Sequence, residues 1–170
     1  YTQKFGSEKI MTNTPAITMD DKAAILLEEA RAAHENYLIK QQDADLEKAI
    51  EYYIDAIKVN PSISESYYRL ASLLLMKGQI SIEGALEQCQ TALTLEPNNV
   101  NAHIYSGYFQ CLNGNFEEAE KEFKLAVSNS GKNSARPRLF LSKVLFSRIK
   151  NHDSSVKDVM KFLYYFLSGS

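Results

Sequence analysis

Apolar residues in this chain recur at steps of three and four, not at every second position, and short polar breaks divide the stretches that do so. The pattern predicts an all-α protein of about eight helices, with no strand. Helices are expected over about 19–40, 46–59, 63–76, 82–95, 100–112, 116–128 and 135–150, and an eighth runs from Asp153 or Ser154 to about residue 167. Most starts carry a capping candidate. Thr18-x-x-Asp21 and Ser62-x-x-Glu65 have the spacing of capping boxes, while Asp45, Ser81, Asn98 or Asn99, and Asn115 with Glu118 suit the other starts. Pro61 and Pro97 fall where helices must stop, since proline lacks the N–H and disfavours helix in the residue before it. Glycines sit in the breaks at Gly78, Gly114 and Gly131. Residues 1–17 are polar and expected to be extended; Met11 reads as a natural start, with 1–10 an appended leader.

A second pattern runs at longer range. Ala49-x3-Tyr53-x2-Ala56-x4-Pro61 is followed by Ala85-x3-Cys89-x2-Ala92-x4-Pro97, and then by Ala119-x3-Phe123-x2-Ala126 with Gly131 in place of the proline. The intervals are 36 residues from Ala49 to Ala85 and 34 from Ala85 to Ala119. This resembles the tetratricopeptide-repeat (TPR) family, whose period is about 34 residues. On the preceding helices the family's large, large, small, large places fall on Tyr67, Leu70, Ala71 and Leu74 in the second repeat. In the third they fall on His103, Ser106, Gly107 and Gln110, and in the first on Ala30, Ala33, His34 and Tyr37. The resemblance implies a right-handed superhelix of antiparallel helix pairs. It implies repeats at about 18–61, 62–97 and 98–131, and a C-terminal helical pair over 132–170 as a degenerate fourth repeat or cap. The alanines would sit where helices cross, and one pair cannot bury its apolar face without a neighbour.

Charge alters the picture only locally. The net charge of −2 predicts no nucleic-acid partner. From Lys132 onward, however, there are eight Lys/Arg against two Asp, so a basic end follows an acidic array. The last predicted helix is apolar nearly all round: Val156, Val159, Met160, Leu163 and Phe166 form one stripe, and Phe162, Tyr165 and Leu167 lie off it. A terminal helix of an array is expected to be polar outside. Three expectations follow for Phe162, Tyr165 and Phe166: another element covers them, copies of the chain associate there, or the natural sequence continues. Contact with a membrane surface is a weaker fourth, and no stretch reaches the roughly 20 apolar residues of a span. Two cysteines without C-x-x-C spacing fit a reducing, cytoplasmic compartment.

No chemistry emerges from the motifs. His34, His103 and His152 lack metal-ligand spacing, and there is no phosphate loop and no nucleophile elbow. The reading is therefore not an enzyme, with no cofactor and no metal, and the expected partner is another protein or a peptide. The resemblance implies a binding groove lined by the first helix of each pair. Its places fall on Glu65, Tyr68, Ser72 and Leu75 in the second repeat, and on Asn101, Ile104, Tyr108 and Cys111 in the third. Glu28, Arg31, Glu35 and Leu38 take them in the first, and Ala135, Arg138, Ser142 and Leu145 in the C-terminal pair. Tyr68, Ile104 and Tyr108 would hold an apolar or aromatic anchor, or else pack within the superhelix. Chaperone-binding members of the family grip a C-terminal carboxylate with lysine, asparagine and arginine. Those places fall on His34, Leu38, Arg69, Asn101 and Tyr105, which do not match.

Overall fold

A computed structural model describes residues 17–130. Within them lie six α-helices and no strand: α1 (Met19–Lys40), α2 (Asp43–Val59), α3 (Ser64–Met76), α4 (Ile82–Leu95), α5 (Val100–Leu112) and α6 (Phe116–Asn129). The two helices expected after residue 131, the leader, Arg138 and the aromatic run at Phe162, Tyr165 and Phe166 lie outside the described residues.

Helix starts follow local chemistry, with three departures from the sequence reading. The Thr18 hydroxyl accepts from the Asp21 N–H at 3.1 Å and the Asp21 carboxylate accepts from the Thr18 N–H at 3.0 Å, a reciprocal capping box. These bonds from Thr18 hold the exposed Asp21 carboxyl below its ordinary range. Ser81 and Asn99 cap α4 and α5 by accepting from the N–H groups of Gly84 and Ala102. Asp45 does not cap α2, because that helix begins at Asp43 and leaves Asp45 inside its first turn. Ser62 and Glu65 form no capping box. Ile63 holds the cap position, the Ser62 N–H donates to the Asn60 side chain at 2.9 Å, and two arginines engage the Glu65 carboxylate. Asn115 turns its amide to Gln110 at 3.0 Å and leaves the α6 N-terminus without a side-chain cap.

The turn inside each pair carries one residue in the left-handed region: Gln41 at φ 57°, Gly78 at 68° and Gly114 at 79°. Glycine adopts that conformation without a Cβ penalty. Gln41 bears the penalty, and its side-chain amide donates to the carbonyls of Tyr37 and Leu38 at the end of α1.

Packing follows chain order. α1 lies on α2, α2 on α3, α3 on α4, α4 on α5 and α5 on α6, and α3 also touches α5. Every alanine of the repeating motif is buried, as are Tyr53, Cys89 and Phe123 between them. Alanine lets helix axes approach, and the larger residue midway fills the space between pairs. Gly107 shows a close approach between helices: a Cβ there would lie 2.7 Å from the ring of Phe123. The core has two clusters that meet in α3. Leu70 and Leu73 pack with α1 and α2, while Tyr68 and Ala71 pack with α4, α5 and α6.

Candidate partner-binding face

The first helices of the three pairs, α1, α3 and α5, bring polar side chains together. Arg31 of α1 reaches across to Glu65 of α3; its Nε donates to Oε1 at 2.9 Å and its Nη2 pairs with Oε2. Arg69 lies one turn beyond Glu65 and donates to the same Oε1 at 2.5 Å. Glu28 pairs with the remaining arm of Arg31. One carboxylate thus joins two guanidinium groups, the planar fork of arginine suiting a two-point contact.

Burial differs sharply within the cluster. The Arg31 side chain is 35% exposed, that of Glu65 19% and that of Arg69 6%. Burial pushes the Glu65 carboxyl up, but its bonds with Arg31 and the charge of Arg69 outweigh that effect and leave it below the ordinary value. Hydrogen bonding to Glu65 raises Arg31, so both partners stay ionised. His34 lies buried near Arg69. Desolvation first, and the arginine charge second, hold the imidazole well below its ordinary value, so it is neutral. Each phenol of the adjoining pair is pushed up by burial: Tyr68, bonded to Asn101, and Tyr105, bonded to Ser72.

The structure brings some of the sequence-derived groove residues together and sets others apart. Arg31, Glu28 and Glu65 form one network, and Tyr68 meets Asn101. Glu35 is exposed, and Asn101 is half-buried. Tyr68, Ser72, Ile104, Tyr108 and Cys111 are interior, each with at most 2% of its surface exposed, and Leu38 is equally buried. Tyr68 stacks on Tyr105 with centroids 4.9 Å apart, and Tyr108 meets Phe123 edge-on at 5.0 Å. Leu75 is half-buried against the same core. In the present conformation these side chains therefore hold the array together. Arg69 is the functional-looking residue that groove spacing missed. Its place four residues after Glu65 marks an ion pair legible in the sequence; its burial is not.

Among the described residues no group of three or more His, Cys, Asp or Glu is placed to hold a metal ion. The two thiols, Cys89 and Cys111, are free and buried; burial raises both, Cys111 to about 12, which removes the thiolate needed for nucleophilic chemistry. No described helix is long and apolar enough to cross a membrane.

The family model for the tetratricopeptide repeat matches residues 38–63. Among solved structures, the TPR domain of Arabidopsis OM64 superposes with a TM-score of 0.59 at 23% identity, covering 79% of this chain and 99% of that one. The chain has the TPR fold. Two further TPR structures agree. The TPR2B domain of yeast Sti1, solved as a complex with pHsp70, gives a TM-score of 0.58 at 21% identity and covers 75% of this chain and 98% of that one. The first TPR of Spaghetti (RPAP3), bound to an HSP90 peptide, gives 0.56 at 19% identity and covers 79% and 94%.

Proposed function

We propose that this TPR array is a non-catalytic protein-binding module, an adaptor or assembly factor. It takes a peptide or partner helix along the face built from α1, α3 and α5. The observation that carries the reading is the network of Arg31, Glu65 and Arg69. It spans two first-of-pair helices, stays ionised, and keeps Arg31 35% exposed with its guanidinium paired to Glu28 and Glu65. TPR structures of similar fold were solved with peptide partners, which supports the same use here. The ligand is not a chaperone tail gripped by the family's carboxylate clamp. His34 and Leu38 occupy two clamp places and are buried, and Arg69 is engaged by Glu65.

Partner recognition on this reading is polar first. Glu28 and Glu35 are exposed on this face and Arg31 and Asn101 are half-buried in it, with the stacked Tyr68 and Tyr105 interior. The test is affinity capture from native lysate with the wild type, with Arg31→Ala/Asn101→Ala, and with the outer-face control Lys124→Ala. The double variant is expected to stay folded with a lowered thermal midpoint, since Arg69 still neutralises Glu65 but the two bonds from Arg31 are gone, and to lose its partners. Unchanged recovery of every partner by a folded double variant would overturn this reading.

A further inference from the structure

Glu28, Glu47, Glu118 and Glu120 each pair with one cation at the surface, and each of these side chains is more than half exposed. Glu65 is held differently. Its side chain is 19% exposed, and it receives guanidinium groups from two helices, Arg31 of α1 and Arg69 of α3. Arg31 engages both carboxylate oxygens, Nε donating to Oε1 at 2.9 Å and Nη2 pairing with Oε2, and the Nε of Arg69 adds a second donor to Oε1. Two guanidinium forks converging on one carboxylate have the form of a receptor site for a carboxylate-bearing ligand. In this array the chain's own side chain fills that site.

The charges of the cluster balance only while Glu65 is in place. Arg31 and Arg69 are the two cations, and Glu28 and Glu65 the two anions that pair with them. α5, the third helix of the face, contributes no Asp, Glu, Lys or Arg. The Arg69 side chain is 6% exposed, so a cation left there without Glu65 is poorly screened by water and attracts an anion more strongly than a surface arginine does. We infer that Glu65 is a specificity-determining residue of the α1–α3–α5 face: it occupies a carboxylate site between Arg31 and Arg69, and so turns away ligands that would bring an acidic side chain or a C-terminus to it. The inference rests on the reading of this face as the binding face. It adds that partners meet the face with neutral or basic groups.

The experiment empties the site and offers it a carboxylate. Glu65→Ala keeps the Cβ and removes the carbons and oxygens that acetate can restore. The full chain is studied at neutral pH as wild type, Glu65→Ala, Glu65→Ala/Arg31→Ala and Glu28→Ala. Thermal midpoints are compared in sodium acetate and in sodium chloride of equal concentration. Binding is measured with a dye-labelled peptide of glycine and serine ending in two aspartates. The wild type and Glu28→Ala, which loses only an exposed carboxylate, should show no difference between the salts and ignore the peptide. Glu65→Ala should melt lower in chloride and regain part of the loss in acetate. It should also bind the peptide about tenfold more tightly than the wild type, the gain expected of one charge-assisted contact. Glu65→Ala/Arg31→Ala should lose both gains. If Glu65→Ala does not fold in chloride, helical circular dichroism recovered in acetate reads the same effect. Folding or midpoints of Glu65→Ala that are alike in the two salts overturn the inference and leave Glu65 a tie between α1 and α3. Peptide binding that is equal in the folded variant and the wild type overturns it too. The peptide has a defined sequence, so this result is separate from the lysate capture that tests the face itself, and either can fail alone.

Discussion

Two glycines of one repeat are irreplaceable for different reasons, and the difference is measurable. Gly107 has an ordinary helical backbone, but a Cβ there would meet three ring atoms of Phe123 within 3.0 Å. That ring cannot step aside freely, because Tyr108 holds its edge. Gly114 has open space around it and a φ of 79°. Gly107→Ala should therefore cost about 1–3 kcal/mol through overpacking, and Gly114→Ala about 1–2 kcal/mol through backbone strain alone. The remedies differ as well. Gly107→Ala combined with Phe123→Leu should cost less than the sum of the two, since the shorter side chain makes room. Asparagine tolerates the left-handed region, so it should be milder than alanine at position 114 and harsher at 107. Urea unfolding of these variants, with Phe123→Leu alone among them, checks both mechanisms. Equal responses to asparagine at the two sites would contradict the assignment.

At the scale of the element, helices were legible wherever a local signal fixed both ends. α4 runs from the Ser81 cap to the residues before Pro97, and α5 from the Asn99 cap to the turn before Gly114. The spacing of Ala49, Ala85 and Ala119 gave the pairing of helices and the buried motif, because close approach demands small residues wherever the chain repeats. Where a side chain had a stronger partner elsewhere, local reasoning failed. Glu65 has the right interval from Ser62 for a capping box, yet Arg31 and Arg69 hold its carboxylate. The face of the first-of-pair helices was legible only in part for a similar reason. Position in the repeat names Tyr68, Ile104 and Tyr108, but their depth depends on Tyr105 and Phe123 from other helices. The caps give a paired prediction. Ser81→Ala should destabilise by about 1 kcal/mol, because it leaves the Gly84 N–H without its acceptor. Ser62→Ala should stay within about 0.5 kcal/mol, since that hydroxyl caps nothing. Thermal unfolding of both variants decides it. Equal losses would mean that the interval alone, and not the observed bonds, sets the cap.

At the scale of the molecule the array is nearly one-dimensional, so its response to pH should be uneven along its length. Each pair leans on its neighbours, and α3 is the element that both core clusters share. Two acid-sensitive groups sit where α1 meets α3. His34 is buried and held neutral, with its folded value well below 6.5. The unfolded chain thus binds more protons as pH falls below about 6.5, and stability present above that pH is lost toward the folded value. Glu65 also has a lowered folded value, from 4.5, so its contribution is present above 4.5 and is lost as pH falls through the folded value. Both effects have the same sign, and the histidine acts first. Between pH 7 and pH 5, amide protection, taken relative to the intrinsic exchange rate at each pH, should fall in α1 and α3 before it does in α6. His34→Leu removes a group that must charge on unfolding without adding another, so the variant should lose less of its thermal midpoint over that interval than the wild type. Other histidines are common to both proteins, and the comparison cancels them. Equal losses in the two, or protection that falls uniformly along the chain, would show that acid acts on the array as a whole and not through the α1–α3 junction.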